Sequence, residues 1–298
     1  MKIYYTDHFV LPLPKGHRFP MEKYSQLRQR VEQARLVPPS HLCSPPAATD
    51  SQILLAHDAE HLEAIKQGRL TKSQARRLGF PWSEALVERS RRSTGATLSA
   101  CRSALEDGIA INLAGGTHHA FPDAVEGFCV FNDSVIALRV LQQEKQIERG
   151  VILDCDVHQG NGTAVMVRAD ASIFAFSIHG SKNFPLQKCN SDLDIGLPDD
   201  TEDEDYLQAL EAGLAIVLRR ARADLAIYLA GADPFAEDRF GRVKLSKAGL
   251  LQRDRMVLQS CRRVKLPVAI TMAGGYAKDV RDTVDIHFQT VQEAMRWV

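Results

Sequence analysis

Short apolar runs alternate along this chain with longer segments of helical periodicity. The runs have the length of strands that are buried on both faces of a parallel sheet, and they cover residues 3–5, 110–113, 151–153, 173–178, 225–229 and 268–272. Apolar residues three or four positions apart predict helices over residues 21–36, 51–65, 83–105, 132–141 and 247–263. The alternation predicts an α/β domain with a central, mostly parallel sheet.

Local patterns add detail to this picture. The run at 3–5 is expected to be an edge strand, and residues 76–81 are expected to form a basic turn. The Thr201-x-x-Glu204 spacing is typical of a capping box at the start of a helix. Four prolines surround Cys43 and predict irregular structure there: Pro38, Pro39, Pro45 and Pro46.

Composition narrows the class of protein. The 298 residues include 37 Lys+Arg and 37 Asp+Glu, and this balance argues against general binding to nucleic acids or to membrane surfaces. No apolar run approaches the roughly 18 residues of a transmembrane helix, and the first residues lack the apolar segment of a signal peptide. Six scattered cysteines without a C-x-x-C pair favour a reducing, cytoplasmic location.

The run at 151–153 leads into Asp154, Asp156 and His158, and glycines follow. Ligands of parallel α/β sheets bind just beyond the carboxyl ends of the strands. Because alternate residues of a strand point the same way, these three side chains could share one face if the extended backbone continues. Oxygen and nitrogen ligands together suit Zn²⁺. A helix-capping aspartate beside a satisfied core histidine is an equally good interpretation of this motif alone.

Side chains that could take part in catalysis or metal binding also follow three other predicted strands. His118 and His119 follow a Gly-Gly turn, which could orient both imidazoles toward one pocket, where histidine can exchange protons near neutral pH. Asp233 follows the run at 225–229, and with Asp156 and His158 it would complete a set of three metal ligands. Tyr276 follows a second Gly-Gly pair and could donate a hydrogen bond to a substrate oxygen.

One further pair of histidines has a spacing that could allow it to bind a metal ion. His57 and His61 are four residues apart, a spacing that could bind a metal on a helix. No third ligand is nearby in the sequence, so surface or core histidines are the preferred interpretation.

Taken together, these motifs resemble the zinc-dependent histone deacetylase superfamily, which has the arginase–deacetylase fold. The matching segments occur in family order at residues 115–119, 127–133, 153–162, 230–234 and 274–276. Gln159 and the segment 77–82 are most similar to the class IV branch and to bacterial deacetylase-like amidohydrolases. The resemblance implies a single three-layer catalytic domain over residues 1–298.

The resemblance also implies roles for individual residues. Zn²⁺ would be held by Asp156, His158 and Asp233. The catalytic set would comprise His119 as general base and acid, His118 as its electrostatic partner, Asp154 as the hydrogen-bond partner of His118, Asn161 behind His119, and Tyr276 as donor to the carbonyl. Asn161 stands where many family members have aspartate, so His119 should be less basic than with an aspartate partner.

Aromatic residues along the chain suggest substrate contacts, and the resemblance implies a cation site. Phe128 and Phe184 are candidate aromatic walls of the pocket, with Gly127 beside them. A monovalent cation, often K⁺ in the family, would be held by Asp154, Asp156, His158, Ser177 and Ile178.

The expected reaction is zinc-dependent hydrolysis of an N-acyl amide, acetyl or longer, in an acylated lysine peptide. Three alternatives remain open at this point: a small acylated amine such as an acetylpolyamine as substrate, a catalytically dead acyl-lysine binding module, and an arginase-like hydrolase with two manganese ions. Substrate choice is expected to depend on the loops at 15–20, 37–48 and 181–191.

Overall fold

A computed structural model describes residues 1–297, which contain one sheet of eight parallel strands. The strands are β1 Ile3–Tyr4, β2 Leu42–Cys43, β3 Ile109–Asn112, β4 Gly150–Asp154, β5 Ile173–Gly180, β6 Leu193–Leu197, β7 Leu225–Leu229 and β8 Val268–Thr271. Their order in the sheet is β2-β1-β3-β8-β7-β4-β5-β6.

Helices cover both faces of this sheet. They are α1 Glu22–Gln33, α2 Asp50–Ile53, α3 Ala59–Lys66, α4 Lys72–Leu78, α5 Glu84–Asp107, α6 Asp133–Gln143, α7 Asn161–Val167, α8 Asp203–Ala221, α9 Lys247–Arg263 and α10 Val280–Ala294, with short 3₁₀ turns at Pro39–His41 and Met295–Trp297. None of the helices in residues 1–297 is long and apolar enough to cross a bilayer.

The core has two layers, one on each side of the sheet. Val151 and Leu153 of β4 belong to the cluster beneath α1, α8, α9 and α10. Ile152, between them, belongs to the opposite cluster beneath α5 and α6. Adjacent strand residues thus point to opposite faces, and both faces are apolar because both are covered. This confirms the predicted three-layer α/β fold.

The sheet order determines where the site forms. Strands β3, β8, β7 and β4 lie side by side, and all run in the same direction. The segments that follow their carboxyl ends are therefore neighbours in space, although they are up to about 160 positions apart in the sequence. All four of the motif-bearing segments follow these strands.

Three predictions about the amino-terminal region were wrong. β1 is not an edge strand, because the Leu42–Cys43 pair forms β2 on its outer side. The prolines around Cys43 bracket this two-residue strand and do not interrupt it. The helix predicted over 51–65 is divided into α2 and α3. Its two histidines are buried, and His57 accepts a hydrogen bond from the backbone N–H of Asn132 at 2.9 Å, as expected for core histidines.

Two local signals were also misinterpreted. No capping box forms at Thr201: its hydroxyl donates to the carbonyl of Pro198, and α8 begins after Glu202 without a side-chain cap. The basic segment expected to be a turn contributes Arg76 and Arg77 to the last turn of α4. A Thr71 capping box begins that helix and Gly79, with φ of 78°, ends it.

Candidate metal centre and active site

Strand β4 ends at Asp154, so the extended backbone stops before the rest of the motif. The backbone N–H of Asp156 instead donates to Asp154 Oδ1 at 3.1 Å, and that of His158 donates to Asp156 Oδ1 at 2.9 Å. These aspartate turns fix the loop after the strand. The predicted convergence of side chains is therefore achieved by turns and not by an extended strand.

Asp156, His158 and Asp233 form a buried group that could hold a metal ion, with one ligand atom from each residue lying within 4.8 Å of the others. His158 Nδ1 lies 3.0 Å from Asp156 Oδ1 and 3.2 Å from Asp233 Oδ2. Asp233 Oδ2 accepts no hydrogen bond from residues 1–297 although it is buried. An orphaned carboxylate oxygen beside a second carboxylate and an imidazole fits a divalent cation.

Backbone groups hold the two carboxylates in place. Gly274 N–H donates to Asp156 Oδ2 at 2.8 Å, and Val157 N–H donates to Asp233 Oδ1 at 2.9 Å. A Cβ atom at Gly274 would lie 1.9 Å from Asp233 Oδ2, so only glycine allows this approach. Such outer contacts fix the orientation of metal ligands.

The electrostatics of the group favour a positive charge at its centre. Burial disfavours a charged imidazole, but the adjacent carboxylates of Asp156 and Asp233 outweigh it and raise the pKa of His158 to about 10. Burial, together with the charge of Asp156, raises the pKa of Asp233 to about 7. Two carboxylates enclosed without a cation are costly, and a bound metal ion would relieve that cost.

The two adjacent histidines form a hydrogen-bonded couple. His118 Nδ1 lies 2.6 Å from Asp154 Oδ2, and the Nε2 atoms of His118 and His119 are 3.2 Å apart. His119 Nδ1 lies 2.7 Å from Asn161 Oδ1. The Gly-Gly pair before them has positive φ at both residues, which produces the predicted reorienting turn.

The proton of this couple resides on His118. Burial lowers its pKa, but the charges of Asp154 and Asp156 prevail and raise the pKa of His118 to about 9. Burial and the neighbouring charges of His118 and His158 lower the pKa of His119 well below its usual 6.5. His119 is therefore neutral at physiological pH, and its ring can accept a proton.

A cavity of about 540 Å³ leads from the surface to His119, His158 and Tyr276. Phe128 and Phe184 line it as predicted, and the Phe184 ring centroid lies 4.9 Å from that of His119. Gly127 packs against His119, where a Cβ atom would lie 2.6 Å from its Cδ2. Burial raises the pKa of Tyr276 well above 10, so its hydroxyl stays protonated and can donate.

The structure also brings the predicted monovalent-cation residues together. Asp154 of β4 pairs in register with Ser177 of β5, next to Ile178, and all three residues are buried. The Ser177 hydroxyl lies 2.9 Å from His179 Nδ1. The potassium site itself stays a prediction.

A family model described as Histone deacetylase domain matches residues 17–291, a range that includes every residue of this site. The chain belongs to the histone deacetylase family.

This histone deacetylase family chain is 41% identical over 285 residues to an uncharacterized protein of Picosynechococcus sp., covering 96% of this chain and 95% of the relative. It is 26% identical to Histone deacetylase 2 of Arabidopsis thaliana over 281 residues, covering 91% and 73%. It is 27% identical to the Histone deacetylase-like amidohydrolase of Pseudomonas aeruginosa over 287 residues, covering 90% and 74%. The crystal structure of a deacetylase homolog from Aquifex aeolicus has the same fold, with a TM-score of 0.84 at 23% identity over 98% of this chain and 83% of that one.

Sequence reasoning missed residues that support the site of this family member. Lys23 is buried and donates to the carbonyls of Ala273 and Gly275 at 3.4 and 3.3 Å, which fixes the turn before Tyr276. Asp238 accepts the Tyr276 N–H at 2.6 Å. Lys23 could have been recognised, because it lies on the buried stripe of α1 with Leu27 and Val31, where a lysine needs a reason. The sequence around Asp238 has no comparable pattern that would indicate its role.

Proposed function

We propose that this chain is a zinc-dependent amidohydrolase that cleaves N-acyl-lysine amides into a carboxylate and a free amine. One observation carries the proposal: a buried Asp–His–Asp group, a histidine couple and the side chain of Tyr276 meet at the inner end of one cavity. The family supports acyl-amide hydrolysis in general, and zinc and the lysine substrate are the parts that we propose.

Asp156, His158 and Asp233 would hold the ion, since two carboxylates and one imidazole leave room for a substrate or water in the fourth position. Zn²⁺ bound there would polarise the amide carbonyl and lower the pKa of a water from about 15.7 to about 7. Among residues 1–297 this is the one group of its kind, which favours a single ion over an arginase-like pair.

His119 transfers the proton in this proposal. Its Nδ1 is held by Asn161, so the neutral ring has its lone pair on Nε2. With substrate and water in the cavity, this nitrogen would exchange its contact with His118 Nε2 for the proton of the attacking water. The same nitrogen then donates that proton to the leaving lysine amine as the C–N bond breaks. His118 remains protonated and bound to Asp154, and its charge stabilises the negative charge that develops on the substrate oxygen.

Tyr276 would donate its hydroxyl hydrogen bond to that same oxygen. Lys23 and Asp238 hold the carbonyl and the N–H of the peptide group between Gly275 and Tyr276, so the donor is held in place before the reaction begins. Losing one donor of this kind typically costs about 10²–10³ in rate.

Two further assignments belong to the proposal. Asp154, Asp156, His158, Ser177 and Ile178 would bind K⁺ beneath the active site. The six cysteines are free thiols, consistent with a cytoplasmic location. Because both histidines, all three ligands and Tyr276 are in place, we favour an active enzyme over a catalytically dead binding module.

The proposal predicts that the zinc-loaded protein hydrolyses fluorogenic substrates that carry acetyl-lysine or a lysine with a longer acyl chain. A chelator should abolish this turnover, and about one equivalent of Zn²⁺ should restore it. Turnover that persists at full rate after complete metal removal, or no turnover of any acyl-lysine by protein loaded with one zinc, would contradict the proposed function.

A further inference from the structure

The mouth of the cavity is strongly cationic, although the whole chain has as many acidic as basic residues. Six exposed basic residues line it, and Glu126 is the acidic residue that lines it with them. We call these six residues the basic rim: Arg18, Arg76, Arg77, Lys182, Arg239 and Arg242.

Half of the basic rim forms no ion pair within residues 1–297. Arg77 pairs with Glu126, and Arg242 and Lys182 share Asp199. The remaining three guanidinium groups keep N–H donors free: Arg18, Arg76 and Arg239.

Two of these three arginines are held in place at the walls of the cavity. The Arg18 guanidinium lies 5.2 Å from the ring centroid of Phe128 and 5.7 Å from that of Phe240. Arg239 donates through Nε to the carbonyl of Tyr276 at 3.0 Å. Cation–π contact and backbone hydrogen bonds orient both groups while leaving them accessible to a substrate.

We propose that the basic rim binds carboxylates of acidic residues that flank the acylated lysine, an inference that rests on the proposed function. The amide must reach His119 and Tyr276 at the buried end of the cavity, so groups at the rim belong to the peptide and not to the acyl chain. A concave cationic surface attracts anions and repels cations. The same charge disfavours acetylpolyamines, whose free amines would face the rim.

Matched acetyl-lysine peptides test this inference. One peptide has glutamates on both sides of the acetyl-lysine, and the other has unmodified lysines there. We expect kcat/KM for the glutamate peptide to exceed that for the lysine peptide by on the order of tenfold at low salt. High salt should reduce the ratio because it screens exposed charges. The double variant R18E/R239E should reduce or invert it. The control R219E changes an exposed arginine in the last turn of α8, just before the start of β7 and outside the cavity lining, and should leave the ratio unchanged.

Failures of the two proposals can be told apart. If no peptide is hydrolysed, the proposed function fails, and fluorescence-anisotropy binding of the same peptides to the zinc-loaded H119A variant still tests the rim. A preference for acidic flanks in either assay supports the inference. Equal values for the two peptides, a preference for basic flanks or for acetylpolyamines, or a ratio that R18E/R239E leaves unchanged overturns it.

A second observation concerns the side chain behind His119. The amide of Asn161 lies between two partners: its Oδ1 is 2.7 Å from His119 Nδ1, and its Nδ2 donates to Glu126 Oε2 at 2.8 Å. An asparagine amide can turn over and exchange its oxygen and nitrogen. Turned over, it would offer N–H to His119 Nδ1 and would favour the wrong tautomer for a base at Nε2.

Glu126 removes this ambiguity because a carboxylate only accepts hydrogen bonds. It is held in turn by Arg77, whose Nε and terminal nitrogen donate to Oε1 at 3.1 and 2.9 Å. The next two backbone N–H groups, of Gly127 and Phe128, donate to the carbonyls of Arg77 and Leu78 at 2.9 and 2.8 Å. Helix α4 therefore fixes Glu126 from both its side chain and its backbone.

We infer that Glu126 is a positioning residue that orients the Asn161 amide and thereby sets the tautomer of His119. This role differs from that of an aspartate at position 161, which could accept from His119 with either oxygen and would need no orienting partner. An aspartate there would instead face the Glu126 carboxylate at hydrogen-bond distance, and the two charges would repel.

Four proteins test this inference: wild type, E126Q, N161D and E126Q/N161D. We expect each single variant to lose roughly tenfold in kcat, the usual cost of an outer contact. The double variant should be faster than either single variant, because its introduced glutamine amide can donate to its introduced aspartate. A merely structural role for Glu126 would instead make the two losses multiply. Imidazole ¹⁵N shifts should show the Nδ1–H tautomer of His119 in wild type and a mixture in E126Q.

The matched control is E293Q, which removes the charge of a buried glutamate that pairs with Arg255 on the far side of the fold and should keep wild-type kcat. Multiplying losses in the double variant, or an unchanged His119 tautomer in E126Q, would overturn the inference. If a variant folds poorly by thermal melting, the ¹⁵N spectra of its folded fraction still decide the tautomer.

Discussion

Replacing His119 with alanine is expected to abolish detectable turnover while zinc stays bound. The neutral ring of His119 is the proposed acceptor of the water proton and donor to the leaving amine, and general acid–base groups of this kind contribute roughly 10²–10⁴ in rate. His119 is not part of the Asp–His–Asp group, so the ion should remain. Turnover of an acyl-lysine substrate and zinc content by elemental analysis measure the two effects on one sample.

A control separates this effect from general damage. His41 lies away from the cavity and contacts the Met1 carbonyl, so H41A should keep both activity and zinc. Wild-type turnover by H119A would refute the assignment of the base. Loss of zinc from H119A would mean that the histidine contributes to metal binding instead.

Replacing Asp233 with asparagine is expected to remove both the metal and the activity. The asparagine of D233N can still accept the Val157 N–H through its retained oxygen, but it supplies no charged ligand at the Oδ2 position. Losing several kcal/mol of Lewis-acid stabilisation corresponds to roughly 10³-fold or more in rate. Zinc content and turnover after equilibration with about one equivalent of Zn²⁺ are the measurements.

The melting temperature provides a second measure of the same change. Because a ligand that binds the folded state stabilises it, a chelator should lower the melting temperature of zinc-loaded wild type and leave that of D233N unchanged. The control D224N alters an exposed aspartate just before β7, the strand that leads to Asp233, and should behave like wild type. Equal zinc retention by D233N and wild type would contradict the assignment of this ligand.

The parts of the fold that the sequence predicts are those in which one short segment determines the outcome. The apolar run before Asp154 has the length and the following turn residues of a buried strand, and so does the run at 225–229, whose bounds match β7. The Gly-Gly turn before His118 follows from backbone sterics alone. Because strand ends gather at one edge of a parallel sheet, these local signals were sufficient to identify the residues that converge.

Long-range partners account for the failures. Strand β2 exists because β1 offers it a free edge, and nothing in the residues around Cys43 reports that edge. Thr201 has the spacing of a capping box, but α8 begins at Asp203 with Glu202 in the N-cap position, and the Thr201 hydroxyl donates to the carbonyl of Pro198 instead. The contact of Glu126 with Asn161 joins residues 35 positions apart, and the basic rim is invisible in a chain whose total charge is zero.

The central claim is that Asp156, His158 and Asp233 bind one divalent ion, and anomalous X-ray scattering at the zinc edge from a crystal of the zinc-loaded protein tests it most directly. We predict one strong peak enclosed by the three side chains, about 2.0–2.2 Å from His158 Nδ1 and from the carboxylate oxygens. A peak elsewhere, a pair of metal peaks in the cavity, or no peak between these residues would contradict the account.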